Sequence, residues 1–255
     1  MQKFNSAGVE IAYEVWGQGP PILLIHGFAS NRFVNWRDTG WVKALTEAGY
    51  QVIALDNRGH GESEKLYDSA QYSAPMMADD ARRLLDHLGI AKAAIMGYSM
   101  GARIAAFLTM QNPERVRCAV FGGLASRMIT GVGGAEAIGL AMEAATLADV
   151  TDRDARGFRI FADSTKSDRR ALAACIRSSR VKIKEEALAA IKVPVLVVAG
   201  ELDEVAGNVE GLTSIIPGSQ GVVLPRRNHM NAVGDSGYKA AVLGFLGEVD
   251  VLSLQ

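Results

Sequence analysis

The 255-residue chain is poor in the residues that most often anchor special chemistry: two cysteines, four histidines, seven prolines and 7% aromatics. Cys118 and Cys175 lie far apart and match no metal-binding or redox spacing, so buried free thiols and a reducing, cytoplasmic setting are expected. Nothing in the sequence asks for a metal or a cofactor. A formal net charge of −1 gives no general attraction for nucleic acid or for an anionic membrane. No apolar run approaches membrane-spanning length, and Met1-Gln2-Lys3-Phe4-Asn5 lacks the apolar core of a signal peptide. Internal repeats and low-complexity tracts are absent too. What remains is ordinary globular composition, 49% hydrophobic and 22% charged, at a length that can bury a full core. A small molecule is the expected partner, and no feature specifies an oligomeric state.

Gly8 to Val15 alternates apolar and polar residues, the pattern of a half-exposed antiparallel strand, and Gly17-Gln18-Gly19-Pro20-Pro21 breaks it. The character then changes. Ile22–Ile25, Val52–Leu55, Ala93–Met96, Ala119–Phe121 and Val193–Ala199 are short continuous apolar runs, as in strands covered on both faces of a parallel sheet. Helical patterns at Val42–Ala48, Ala74–Leu88 and Ala102–Gln111 separate them. The expected class is α/β: an open, mostly parallel, doubly wound sheet whose ligand site lies beyond the C-terminal strand ends. Between Ala125 and Ala190 no strand is read. Helices are expected there at Ala135–Leu147, Asp154–Ala162, Asp168–Arg177 and Lys184–Ile191, several with an Asp or Ser placed as a cap. Residues 1–124 and 191–255 thus read as the core, and 125–190 as a helical insertion between two core strands.

Gly97-Tyr98-Ser99-Met100-Gly101 sits between an apolar run and an Ala-rich helical pattern. A serine at a tight strand-to-helix turn is forced into a strained backbone with its hydroxyl exposed above the sheet. The following helix points its first N–H groups at the same spot. Such a hydroxyl needs a base to take its proton and a carboxylate to orient that base. Of the four histidines, His87 falls in a helix, His26 ends the first buried strand and His60 lies on the loop after the second. His229 follows the last strand-like run, Val222-Val223-Leu224-Pro225, on a loop that can deliver an imidazole. The acid is sought in Gly200-Glu201-Leu202-Asp203-Glu204, just past the Val193–Ala199 strand; Asp203 is preferred and Glu201 stands second. The other strand-end loop, Gly122-Gly123-Leu124-Ala125-Ser126, holds no acid.

The order Ser99, Asp203, His229 on this alternation resembles the α/β-hydrolase superfamily over nearly the whole chain. Ile25-His26-Gly27-Phe28 is similar to its oxyanion loop, which implies that the Phe28 and Met100 N–H groups face the tetrahedral oxyanion. Leu55-Asp56-Asn57-Arg58-Gly59-His60-Gly61-Glu62-Ser63 is similar to a structural loop of the superfamily, which implies scaffold roles for His26, Asp56 and His60. The same resemblance makes the 125–190 insertion a cap over the pocket.

Serine in place of aspartate argues, by that resemblance, against epoxide opening and halide displacement. Cleavage of a small carboxylic ester through an acyl-enzyme is expected. Carbon–carbon hydrolysis, lactone hydrolysis, cofactor-free perhydrolysis and a menaquinone-pathway-like elimination use the same triad, and a small-ligand receptor is the non-enzymatic alternative. Ser99-Met100-Gly101-Ala102-Arg103 resembles a menaquinone-lyase sequence in which the arginine binds a carboxylate. Arg103 is therefore a candidate substrate contact, as are Met128, Met142 and Met230, with Met100 and Phe28 as further pocket-lining candidates.

Overall fold

The computed structural model describes residues 1–252. Eight strands form one sheet: β1 (Gln2–Ser6), β2 (Val9–Trp16), β3 (Pro21–Ile25), β4 (Gln51–Leu55), β5 (Ala93–Tyr98), β6 (Val116–Gly122), β7 (Val195–Gly200) and β8 (Gln220–Leu224). Their spatial order is β1-β2-β4-β3-β5-β6-β7-β8. The β1–β2 hairpin pairs antiparallel and is added to β4 antiparallel; every pairing from β4 to β8 is parallel. The alternating segment near the start is therefore a strand as expected, while β1 was not anticipated.

The helices are α1 (Trp41–Glu47), α2 (Ala74–His87), α3 (Met100–Gln111), α4 (Arg127–Thr130), α5 (Ala135–Glu143), α6 (Arg153–Ser164), α7 (Arg169–Ser179), α8 (Glu185–Ala189), α9 (Glu210–Thr213) and α10 (Ser236–Leu252). Local chemistry fixes several starts. The Ser73 hydroxyl accepts from the Met76 N–H, Asp152 from Ala155, and Asp168 from Arg170 and Ala171, each satisfying amides that open a helix. α10, whose apolar positions are spread widely around the helix, was not foreseen.

Two apolar cores lie on opposite faces of the sheet. One joins Leu23, Ile25, Ile95 and Phe121 to α2 and α3 and continues into α5 and α7. The other joins Leu24, Met96 and Val120 to α1 and α10. Because both faces are covered, β5 and β7 are buried at every position, which is why they read as unbroken apolar runs.

The chain leaves β3 toward β4 on one side and returns to β5 on the other. Connections diverge at this point, so a crevice opens beyond the carboxyl ends of β3 and β5. Helices α4 to α8 lie between β6 and β7 in the chain.

Candidate active site

The turn after β5 carries Ser99 with φ +56° and ψ −116°, a left-handed backbone that a non-glycine residue adopts only at a cost of about 1–3 kcal/mol. The two flanking glycines make it possible. A methyl at Gly97 would overlap the Gly101 carbonyl, and one at Gly101 would overlap the Ile25 carbonyl. The Ser99 N–H donates to the Gly122 carbonyl at 2.7 Å, anchoring the turn to β6.

The three expected residues meet. Ser99 Oγ lies 2.9 Å from His229 Nε2, and His229 Nδ1 lies 2.8 Å from Asp203 Oδ2 and 3.0 Å from Oδ1. Asp203 also accepts from the Val205 and Ala206 N–H groups at 3.1 and 2.9 Å, which fixes its carboxylate on the loop after β7. An ionised carboxylate only accepts, so His229 carries its hydrogen on Nδ1 and leaves Nε2 free to accept from the Ser99 hydroxyl. Glu201 is used elsewhere: its Oε2 accepts from the Arg226 N–H at 2.8 Å.

The loop after β3 is held from two sides. The Asn57 N–H donates to His26 Nε2 at 2.9 Å, so His26 carries its hydrogen on Nδ1 and donates to the Gly27 carbonyl at 2.7 Å. The Gly27 N–H donates to Asn35 Oδ1 at 3.1 Å. In a planar trans peptide the N–H points opposite to the C=O. Fixing the Gly27 carbonyl on His26 therefore aims the Phe28 N–H the other way, and no protein group accepts from it among the described residues. Met100 is the first residue of α3, where an N–H has no partner within the helix. The arrangement thus presents a hydroxyl, a base on it, an acid behind the base and two open amides, one on the loop after β3 and one at the start of α3.

His26, Asp56 and His60 are fully buried and do not contact Ser99 Oγ or the His229 ring. Burial pushes the imidazoles down, His26 to about 4 and His60 to about 3. Asp56 accepts from the Arg32 and Glu62 N–H groups and pairs with the Arg32 guanidinium. Arg58 binds both oxygens of Asp80 at 2.7 and 2.8 Å. Both thiols are buried and free, as expected.

Ser99 opens onto a cavity of about 200 Å³ lined by Phe28, Tyr98, Phe158, Phe161, His229 and Met230, among others. A smaller side pocket of about 30 Å³, which shares Phe28, Ser99 and Phe158, also touches Met100 and Arg103. Met230, Met100, Phe28 and Arg103 line the space around the serine. Met128 and Met142 do not. Both are essentially fully buried in the core that runs from the sheet into the inserted helices, because they lie on the inward apolar face of α4 and α5. Sequence reasoning missed Asn35, Tyr98, Phe158 and Phe161. The polar Asn35 between Val34 and Trp36, buried at 6%, was the one legible signal among them.

Comparison with known proteins bears on the fold. A family model described as the alpha/beta hydrolase fold matches residues 20–166. The non-heme chloroperoxidase CPO-A1 of Kitasatospora aureofaciens is 40% identical over 114 residues, covering 44% of this chain and 40% of that protein. Bifunctional epoxide hydrolase 2 of Sus scrofa is 34% identical over 110 residues, 43% of this chain and 19% of that protein. The chain spans less than half the length of these curated relatives. An enol-lactonase from Burkholderia xenovorans LB400 shares the fold at a TM-score of 0.80 and 22% identity, covering 96% of this chain and 100% of that one. With more than half of its residues inside the family match and its sheet order and strand-end loops as described, the chain belongs to the alpha/beta hydrolase family.

Proposed function

We propose that the protein is a serine hydrolase that cleaves a small carboxylic ester through an acyl-enzyme. The observation that carries this reading is the continuous hydrogen-bonded series from Ser99 Oγ through His229 to Asp203, with the serine on a strained turn. Ser99 attacks the carbonyl carbon while His229 Nε2 takes its proton. Asp203 holds the ring and stabilises the imidazolium that forms. The Phe28 and Met100 N–H groups receive the charge that builds on the carbonyl oxygen. The protonated His229 then gives its proton to the leaving alcohol. Water enters, His229 removes a proton from it as its oxygen attacks the acyl carbon, and cleavage of the bond to Ser99 Oγ releases the acid while His229 returns the proton to the serine.

The inserted helices act as a cap in this reading. Phe158 and Phe161 of α6 reach the cavity beside Ser99, where they would exclude water and limit the acyl group to a short chain. Serine at position 99 supports attack on an acyl carbon over epoxide opening, despite the similarity to an epoxide hydrolase. A lactone is an internal ester and would follow the same steps.

The test is hydrolysis of p-nitrophenyl esters of graded acyl length, with Ser99→Ala as control. Turnover of the acetate or butyrate that disappears in Ser99→Ala supports the reading. Wild-type rates in that variant would sink it, as would failure of a fluorophosphonate to label Ser99.

A further inference from the structure

Two positive charges stand beside Ser99 with no acid to answer them. Arg103, one turn along α3 from the serine, is 2% exposed. Its guanidinium donates to the backbone carbonyls of Met128, Arg127 and Val181, all in the inserted segment. Arg180, just past α7, donates through Nη1 to the Gly133 carbonyl and lies 5.7 Å from the Phe158 ring centroid. Its Nε and Nη2 make no hydrogen bond to the described protein. Neither the buried Arg103 nor the half-buried Arg180 forms an ion pair among the described residues, whereas Arg32, Arg58 and Arg159, as buried as Arg103, each meet an aspartate. Burial lowers both guanidiniums to about 10, and the charge of Arg180 adds to the effect on Arg103. Both remain cations at neutral pH.

Both line the 30 Å³ side pocket that contains Ser99 and Met100. That space exceeds the roughly 10–15 Å³ that one water needs and suits a group the size of a carboxylate. Ser179 lines it as well. Its hydroxyl is buried at 1% and has no hydrogen-bond partner beyond a loose approach to the Cys175 thiol. A buried cation without a counter-charge and a buried hydroxyl without an acceptor are costly to hold, and a ligand that supplies an anion and acceptor oxygens relieves both at once, with the half-buried Arg180 free to meet it. The planar fork of arginine fits a carboxylate in particular.

We propose that this pocket is a carboxylate subsite, so that the substrate is an ester or lactone carrying a free carboxylate close to the scissile bond. Arg180 and the Ser179 hydroxyl hold the anion. Arg103, whose Nη atoms are committed to backbone carbonyls, contributes a second positive charge, and a buried one. The carboxylate is a spectator: the bond formed and the bond broken are those of the ester hydrolysis above, and the inference rests on that reading.

The test compares the mono-p-nitrophenyl esters of succinate and glutarate with the neutral p-nitrophenyl butyrate and valerate. The wild type is expected to favour the acidic esters in kcat/KM. In Arg180→Met the acidic-to-neutral ratio is expected to fall about ten- to a hundredfold, the worth of a charge-assisted pair. Arg180→Lys should recover part of the ratio, and Ser179→Ala should lower it less than Arg180→Met. A second arm measures glutarate binding to the Ser99→Ala protein by calorimetry, with and without Arg180→Met. Binding that needs Arg180 supports the subsite even if no ester is turned over, in which case the hydrolase reading alone fails. Turnover with a ratio unmoved by Arg180→Met, and no glutarate binding, overturns the subsite and leaves the hydrolase reading standing.

Discussion

The Tyr98 hydroxyl donates to the backbone carbonyl of His229 at 2.6 Å, and the two rings lie 5.5 Å apart. The residue before the serine therefore clasps the loop that carries the imidazole, across two intervening strands. Burial raises the phenol well above its ordinary range, so it stays a donor at every working pH. Tyr98→Phe is expected to cost about 0.5–1.5 kcal/mol of stability, the net worth of one hydrogen bond. It should also slow turnover roughly tenfold through kcat rather than KM, since a 1 Å misplacement can cost about a hundredfold. Urea unfolding and steady-state kinetics on p-nitrophenyl butyrate check both.

Asp203→Asn keeps the shape of the side chain but offers an amide that can donate to Nδ1, which favours the wrong imidazole tautomer. Turnover is expected to fall about 10⁴-fold, as such a change does in Ser–His–Asp sites. Fluorophosphonate labelling of Ser99 should slow in parallel. Labelling at the wild-type rate would place the acid elsewhere.

Asn35→Ala removes the acceptor for the Gly27 N–H without touching Ser99, His229 or Asp203. The loop that aims the Phe28 N–H loosens. The expected loss is about tenfold in kcat, below the roughly hundred- to thousandfold cost of deleting an oxyanion donor outright. KM should move little. A KM effect equal to the kcat effect would assign Asn35 to substrate binding instead.

His26 and His60 make the fold acid-labile. Both folded values lie below the ordinary 6.5, so the unfolded chain binds more protons as pH falls. Stability from each ring is fully present above about pH 6.5 and is lost as pH drops from there toward about 4 for His26 and about 3 for His60. In that window each contributes a slope of up to about 1.4 kcal/mol per pH unit. The urea midpoint should therefore decline steeply between pH 6.5 and 4.5, and His60→Gln should flatten the decline. A midpoint indifferent to pH over that range would contradict the neutral buried state.

Breaking the Arg32–Asp56 pair leaves a cation 1% exposed with no carboxylate beyond a long contact to Glu14 at 3.4 Å. Asp56→Ala also strands the Arg32 and Glu62 amides. A loss of about 3–5 kcal/mol is expected, measurable by chemical denaturation, with activity per folded molecule largely kept.

What the sequence made legible, and what it hid, follows from the range of each interaction. In a parallel sheet the carboxyl-end loops converge, so Ser99, Asp203 and His229 could be assembled from strand positions alone. Apolar runs marked the strands because both faces are covered. Met128 and Met142 misled because a methionine at helical spacing reads the same whether it faces a core or a cavity. Tyr98 stayed hidden inside its own motif, since its partner carbonyl is 131 residues away. The use of Asn35 to hold Gly27 depends on the wide turn at Phe33–Arg37, closed by the Asp38 N–H on the Phe33 carbonyl, which no periodicity announces.

The chain order of the three residues has a consequence for biosynthesis. Ser99 is in place once β5 and β6 pair, but Asp203 and His229 come from loops after β7 and β8, the last two strands of the described sheet in chain order. A nascent chain stalled on the ribosome before β7 would carry the serine turn and most of the sheet, yet would be inert toward an active-site probe. Covalent capture of Ser99 would therefore report that the β7 and β8 loops have been made and docked, and not merely the onset of collapse.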